Sequence, residues 1–147
     1  MSKHHKQRIA VGIDGSENSR AAAKWAIEHA RQSDTVVLVH VWHPYVYGTE
    51  LATAFTIDDT AASELLEREF VRFVPLAKEH EVMLKRDLIE GDARDTLNIP
   101  NIDLLVIGAR GHSGIAGILL GSVADYVTRH ATVPVVVIPP DNRVTTK

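Results

Sequence analysis

The sequence predicts an α/β fold: one domain holding an open, twisted, parallel five-stranded sheet with helices on both faces, in the Rossmann-like manner. Three observations point there. Five runs rich in β-branched residues recur along the 147 residues, helical patterns fill the gaps between them, and most of the runs are continuously apolar. Strands covered on both faces read as continuous apolar runs, and parallel sheets are covered that way. Right-handed crossovers between such strands then lay the intervening helices against the sheet.

The first run, Ile9–Ile13, ends in Asp14-Gly15-Ser16, and Ser16 is placed to cap a helix whose apolar face is Ala22, Trp25, Ala26 and Ala30. Thr35–Trp42 is the second strand. The segment Trp42–Asp58, with Trp42, Tyr45, Tyr47 and Phe55, exceeds the usual connection of about 4–6 residues. It reads equally as a surface excursion folded on itself or as a lid or interface element. From Asp59 to His80 a helical pattern sets Leu65, Leu66, Phe70, Phe73 and Ala77 on one side, and Pro75 is expected to kink it or end it early. Lys85, Arg86 and Asp87 interrupt Val82–Ile89, which marks an edge strand. Ala93–Leu97 leaves room for one or two turns before Pro100. Leu104–Ile107 is the fourth strand, a helix over Ser122–His130 presents Val123, Tyr126 and Val127 to the sheet, and Val133–Ile138 closes it.

Composition narrows the function. A net charge of −3 argues against non-specific nucleic-acid binding, which needs clustered Lys and Arg to displace counterions. The absence of cysteine excludes disulfides, thiolate catalysis and Cys-based zinc sites. The apolar stretch after the basic first residues is too short for a signal peptide, and no run approaches the ~20 residues of a membrane span, so a cytoplasmic protein is expected. The eight histidines show no metal-ligand spacing and read as structural or surface residues.

The glycines carry the sharpest signal. Gly108, Gly111, Gly114, Gly117 and Gly121 follow the fourth strand directly and open onto a helix at Ser122. Glycine lets backbone N–H groups approach an anion without a Cβ in the way, and a helix N-terminus adds free N–H groups and a positive dipole end. The run lacks Gly-Lys-Ser or Gly-Lys-Thr, so it is no Walker loop; no Gly-x-Gly-x-x-Gly follows the first strand, so a nicotinamide cofactor is not expected. Gly111-His112-Ser113-Gly114 is not a nucleophile elbow, because position 115 is Ile115. Asp14 reads either as a turn or cap residue or as a carboxylate for a ribose hydroxyl. A position opposite the glycine loop, where the strand order reverses, favours the second.

With these features assembled, the chain resembles the universal stress protein family from Arg8 to Pro139. Gly108, Gly111, Gly121 and Ser122 satisfy the family pattern Gly-x2-Gly-x9-Gly-Ser/Thr; residues 11–16, His40-Val41 and Val133–Pro139 are also similar. The resemblance implies an adenine nucleotide α-hydrolase-like fold over residues 8–140 between tails at 1–7 and 141–147. It implies ATP-binding, with AMP or ADP as substitutes and Mg²⁺ or Mn²⁺ carried by the phosphates. Asp14 would contact ribose, the backbone of Ile13 and Val41 adenine, and the backbone of Gly108, Gly111, Gly121, Ser122 and Val123 the phosphates. The Ser122 hydroxyl would add a contact, and Gly12, Ile107 and Ala124 complete the candidate set. Ala124 departs from the family, many ATP-binding members carrying Ser or Thr there. A homodimer through Val133–Ile138 is implied as well. Catalytic and metal-ligating residues are not assigned. The expected role is nucleotide-dependent stress or signalling function through dimerisation or partner binding, with at most weak ATP hydrolysis. The alternatives are a slow ATPase or nucleotidyl-transfer enzyme using Asp14 or His112 as base, and a dimeric interaction module with AMP or no nucleotide.

Overall fold

The computed structural model of the chain describes residues 5–43, 59–110 and 120–141, without the side chains of 96–98. Its elements are β1 (Arg8–Gly12), α1 (Glu17–His29), β2 (Thr35–Trp42), α2 (Thr60–Glu79), β3 (Met83–Glu90), a 3₁₀ helix (Ala93–Asn98), β4 (Leu104–Gly108), α3 (Ser122–His130) and β5 (Val135–Ile138). All strand pairs are parallel and the sheet order is β3-β2-β1-β4-β5. The chain builds outward from β1 to β3, then returns to β1's other side. The order therefore reverses between β1 and β4, whose register aligns Ile9 with Leu104 and Val11 with Val106. In open α/β sheets, that reversal opens a crevice beyond the strands' carboxyl ends.

Strand side chains alternate between two cores. Ile9, Val11, Val36, Leu38 and Val106 face α1 and α2 and pack with Ala22, Ala26, Ile27, Leu66, Phe73 and Ala77. Ala10, Val37, Val39, Leu105 and Ile107 face the other way, onto Ile99, Ala124 and Val127. Helices thus cover both faces, as the continuous apolar runs require. β3 lies at the edge, where Arg86 lies 4.1 Å over the Phe70 ring and pairs with Glu67 at 2.9 Å.

Three expectations change, and one buried charge is new. α2 does not end early at Pro75 but runs on to Glu79. Proline removes the N–H that would bond Val71's carbonyl, but Pro75 and Val71 are both exposed, so water can donate to that carbonyl in place of the missing N–H. β5 begins at Val135 rather than Val133, because Pro134 has no N–H for the ladder and contributes only its carbonyl, to Leu105 N–H at 3.0 Å. On α3 the buried residues are Ala124 and Val127, whereas Tyr126 is half-buried, 5.0 Å under the Arg94 guanidinium. The face of α2 also buries a charge: Glu69 is 2% exposed, gripped by Arg20 through Nε and Nη2 at 3.0–3.1 Å and by Arg72 at 3.5 Å.

Candidate functional site

The chain leaves β1 through a tightly bonded turn. Gly15 sits at φ +83°, a left-handed conformation that a Cβ makes costly. Asp14 Oδ1 accepts from Ser16 N–H at 2.9 Å and from the Ser16 hydroxyl at 2.5 Å. Ser16 caps α1 by accepting from Ser19 N–H at 3.1 Å, and Ser19 Oγ accepts from Asp14 N–H at 3.4 Å. The turn reading of Asp14 is thus realised through Oδ1. Gly12 lies against Ile107, where an added Cβ would meet Ile107 Cγ2 at 3.4 Å. Continuing the register carries Ile13 level with Gly108.

Ile13 is buried, and both its backbone groups are engaged. Its N–H donates to Val39 O at 2.7 Å, and its carbonyl accepts from His40 Nδ1 at 2.7 Å. A carbonyl only accepts, so Nδ1 carries the proton. His40 therefore ties β2 to the residue before Asp14, a role that its place in an apolar strand does not announce. Val41 is half-buried and packs on the α3 side of the sheet.

Across the reversal, the end of β4 is fixed by a residue absent from the sequence reasoning. Asn18, in the first turn of α1, accepts from Arg110 N–H at 2.8 Å through Oδ1 and donates through Nδ2 to Ile138 O at 3.0 Å. Ile138 O also accepts from Ala109 N–H at 2.8 Å, and Ala109 O accepts from Gly121 N–H at 2.6 Å. The two ends of the glycine segment are thereby held together beside β5. Gly108 has a packing reason of its own: a Cβ there would stand 2.8 Å from Asn18 Cγ. Gly111, with residues 112–119, lies outside the described residues.

Gly121 is the N-cap of α3 and provides no side-chain cap. Asp125 N–H bonds back to Gly121 O at 2.9 Å, so Ser122, Val123 and Ala124 form the first turn, whose N–H groups precede the helical ladder. Ser122 is exposed, Val123 half-buried, and Ala124 2% exposed within the core. Ala124's methyl therefore packs against the sheet.

At the rim, Asp92 accepts from the backbone and side chain of Arg94, and the Arg94 guanidinium holds its carboxyl well below the usual carboxylate range. The segment Pro44–Asp58 lies outside the described residues, so the lid reading falls there. Among the described residues, no helix is long and apolar enough to cross a membrane.

The described geometry is a set of backbone and Asn18 hydrogen bonds that joins the ends of β4 and β5 to the start of α3 beside the turn after β1. A model described as "Universal stress protein family" matches residues 6–139. A universal stress protein of Mycobacterium tuberculosis is 31% identical over 157 residues, covering 92% of this chain and 49% of that protein. The chain thus spans about half the length of that curated relative. Among solved structures, a universal stress protein from Lactobacillus plantarum superimposes with a TM-score of 0.73 at 24% identity, over 92% of this chain and 99% of that one. A universal stress protein in complex with cAMP gives 0.62 at 24% identity, over 91% and 97%. A family member from Arabidopsis thaliana with AMP bound gives 0.64 at 19% identity, over 96% of each.

Proposed function

We propose that this chain, which belongs to the universal stress protein family, binds an adenine nucleotide at the β1/β4 reversal and acts as a nucleotide-dependent signalling protein. The observation that carries the reading is the strand order. It brings the Asp14 turn beside the end of β4, which Ala109 O links to Gly121 at the start of α3. Free N–H groups and the positive end of a helix favour phosphate. In this reading Asp14 meets ribose with its carboxylate, Val41 and Ile13 border the base, and Gly111, Gly121, Ser122, Val123 and Ala124 offer backbone to the phosphates. Gly12, Ile107 and Gly108 form the floor. ATP is the preferred ligand, with Mg²⁺ or Mn²⁺ carried by its phosphates. Among the described residues no group of three or more His, Asp or Glu side chains gathers to hold a metal ion.

Backbone dipoles position an anion without supplying a nucleophile or general base, which favours a binder over an enzyme. The cAMP and AMP named for two structural neighbours support a second reading, in which a mononucleotide fills the same crevice. The edge position of β5 supports dimerisation through Val133–Ile138.

The test is chromatography of nucleotide released from the denatured, purified protein, followed by melting curves with ATP, AMP and GTP. A ligand at ~100 times its Kd adds ~2.7 kcal/mol, on the order of 5–10 °C for a domain of this size. ATP giving that shift supports the first reading, and a shift with AMP alone supports the second. No shift with any adenine nucleotide overturns both. ADP release with Mg²⁺ faster than ~1 s⁻¹, within the ordinary enzyme range, overturns the binder assignment.

A further inference from the structure

We infer that Asn18 is the positioning residue of this site: its carboxamide sets where the chain leaves β4 at Arg110 and re-enters α3 at Gly121, and so sets the aim of the first-turn N–H groups of α3 toward an anion. The inference rests on the nucleotide-binding reading above and deepens it. Asn18 uses both ends of its amide. Oδ1 accepts from Arg110 N–H at 2.8 Å, and Nδ2 donates to Ile138 O at 3.0 Å. The two partners fix the amide's orientation, because an N–H can face only the oxygen and a carbonyl only the nitrogen.

A closed circuit follows. Ile138 O, held by Asn18, also receives Ala109 N–H at 2.8 Å; Ala109 O receives Gly121 N–H at 2.6 Å; and Arg110, next in the chain, returns to Asn18. One side chain on α1 thereby gathers the end of β4, the end of β5 and the start of α3. Gly108 supplies an independent observation. A Cβ built there would lie 2.8 Å from Asn18 Cγ and 3.0 Å from both Asn18 Oδ1 and Asn18 O. The first glycine of the motif therefore admits Asn18. The carboxamide reaches the loop only because no side chain stands between them.

The experiment uses the full chain, with ATP and AMP as probes by calorimetry well below each variant's melting temperature. Asn18→Ala is expected to weaken binding about tenfold or more. Amide exchange at Arg110, Ala109 and Gly121 should accelerate in the ligand-free variant, while amides of β2 and β3 keep their protection. A merely structural asparagine would lower the melting temperature and leave the Kd of the folded protein and the local exchange pattern unchanged; that result overturns the inference. Gly108→Ala adds a second check. Its destabilisation should shrink in the Asn18→Ala background, since the added Cβ then meets fewer atoms, whereas equal destabilisation in both backgrounds overturns the packing assignment. If the wild type binds neither probe, the nucleotide reading fails by itself. The exchange pattern and the Gly108 cycle then decide whether Asn18 positions the loop.

Discussion

The two sides of the sheet reversal solve the problem of buried polarity differently. On the β2–β3 side, α1 and α2 are joined by side-chain charge: Glu69, almost fully buried, sits between Arg20 and Arg72, while Arg86 bridges β3 to Glu67 and Phe70. At the carboxyl ends of β1, β4 and β5, the described links between segments are backbone groups and the neutral Asn18 amide, with serine hydroxyls and the Asp14 carboxylate closing the turn after β1. A carboxylate gripped by two guanidiniums is a finished interaction. A helix whose N-cap, Gly121, makes no side-chain cap bond has first-turn N–H groups that its own ladder does not satisfy. α1 and α2 are joined by charge, and the ends of β4 and β5 by a neutral amide and backbone.

That contrast predicts separable phenotypes. The largest effect should come from Arg20→Ala, which leaves the buried Glu69 carboxylate with only Arg72 at 3.5 Å. Breaking a buried pair costs ~3–5 kcal/mol; because Arg20 is itself 36% exposed, about 2–3 kcal/mol is expected here by urea denaturation. Nucleotide affinity measured on the folded variant should stay within twofold, and a large change would erase the separation between the two sides. Asp14→Asn should do the reverse. Asn keeps an oxygen for the Ser16 bonds but removes the carboxylate charge that the proposed site sets against ribose. A hydrogen bond to a charged group contributes roughly 1.5–3 kcal/mol, so calorimetry should show affinity falling tenfold or more with little change in melting temperature. Unchanged affinity would detach Asp14 from the site.

The smallest effect concerns Asp92. Arg94 lowers its pKa in the folded protein, through the side-chain hydrogen bond first and the backbone bond second. A carboxyl depressed on folding adds stability above its unfolded pKa of about 3.9 and loses it as pH falls through the folded value. Asp92→Asn should therefore narrow the stability difference between pH 6 and pH 2 slightly. The pair is about half exposed and its contribution small. An equal pH dependence in both proteins would show that the rim pair contributes nothing.

Much of the fold was legible because burial repeats along the chain. Continuous apolar runs, the charged interruption at Lys85–Asp87 and the Ser16 cap are local signals with local causes. The errors were also local rules overridden from outside. Pro75 stayed helical because Val71 faces water, and Tyr126 lies half-buried under Arg94 while Ala124 and Val127 take the buried face of α3. Of the candidate site, the sequence supplied residue types, glycines after one strand and a carboxylate after another, as expectations. Asn18 and His40 were not legible as parts of it. Their partners, Arg110, Ile138 and Ile13, lie 92, 120 and 27 residues away, and no spacing rule encodes such distances.

The sequence by itself determined the α/β class and the parallel sheet, because hydrophobic period acts over a few residues. The tertiary structure decided that β1 and β4 are neighbours, that Gly108 makes room for Asn18, and that Ala124's side chain is core. Those outcomes depend on which surfaces meet once the strand order reverses. Contact between distant segments is settled only when the whole sheet packs.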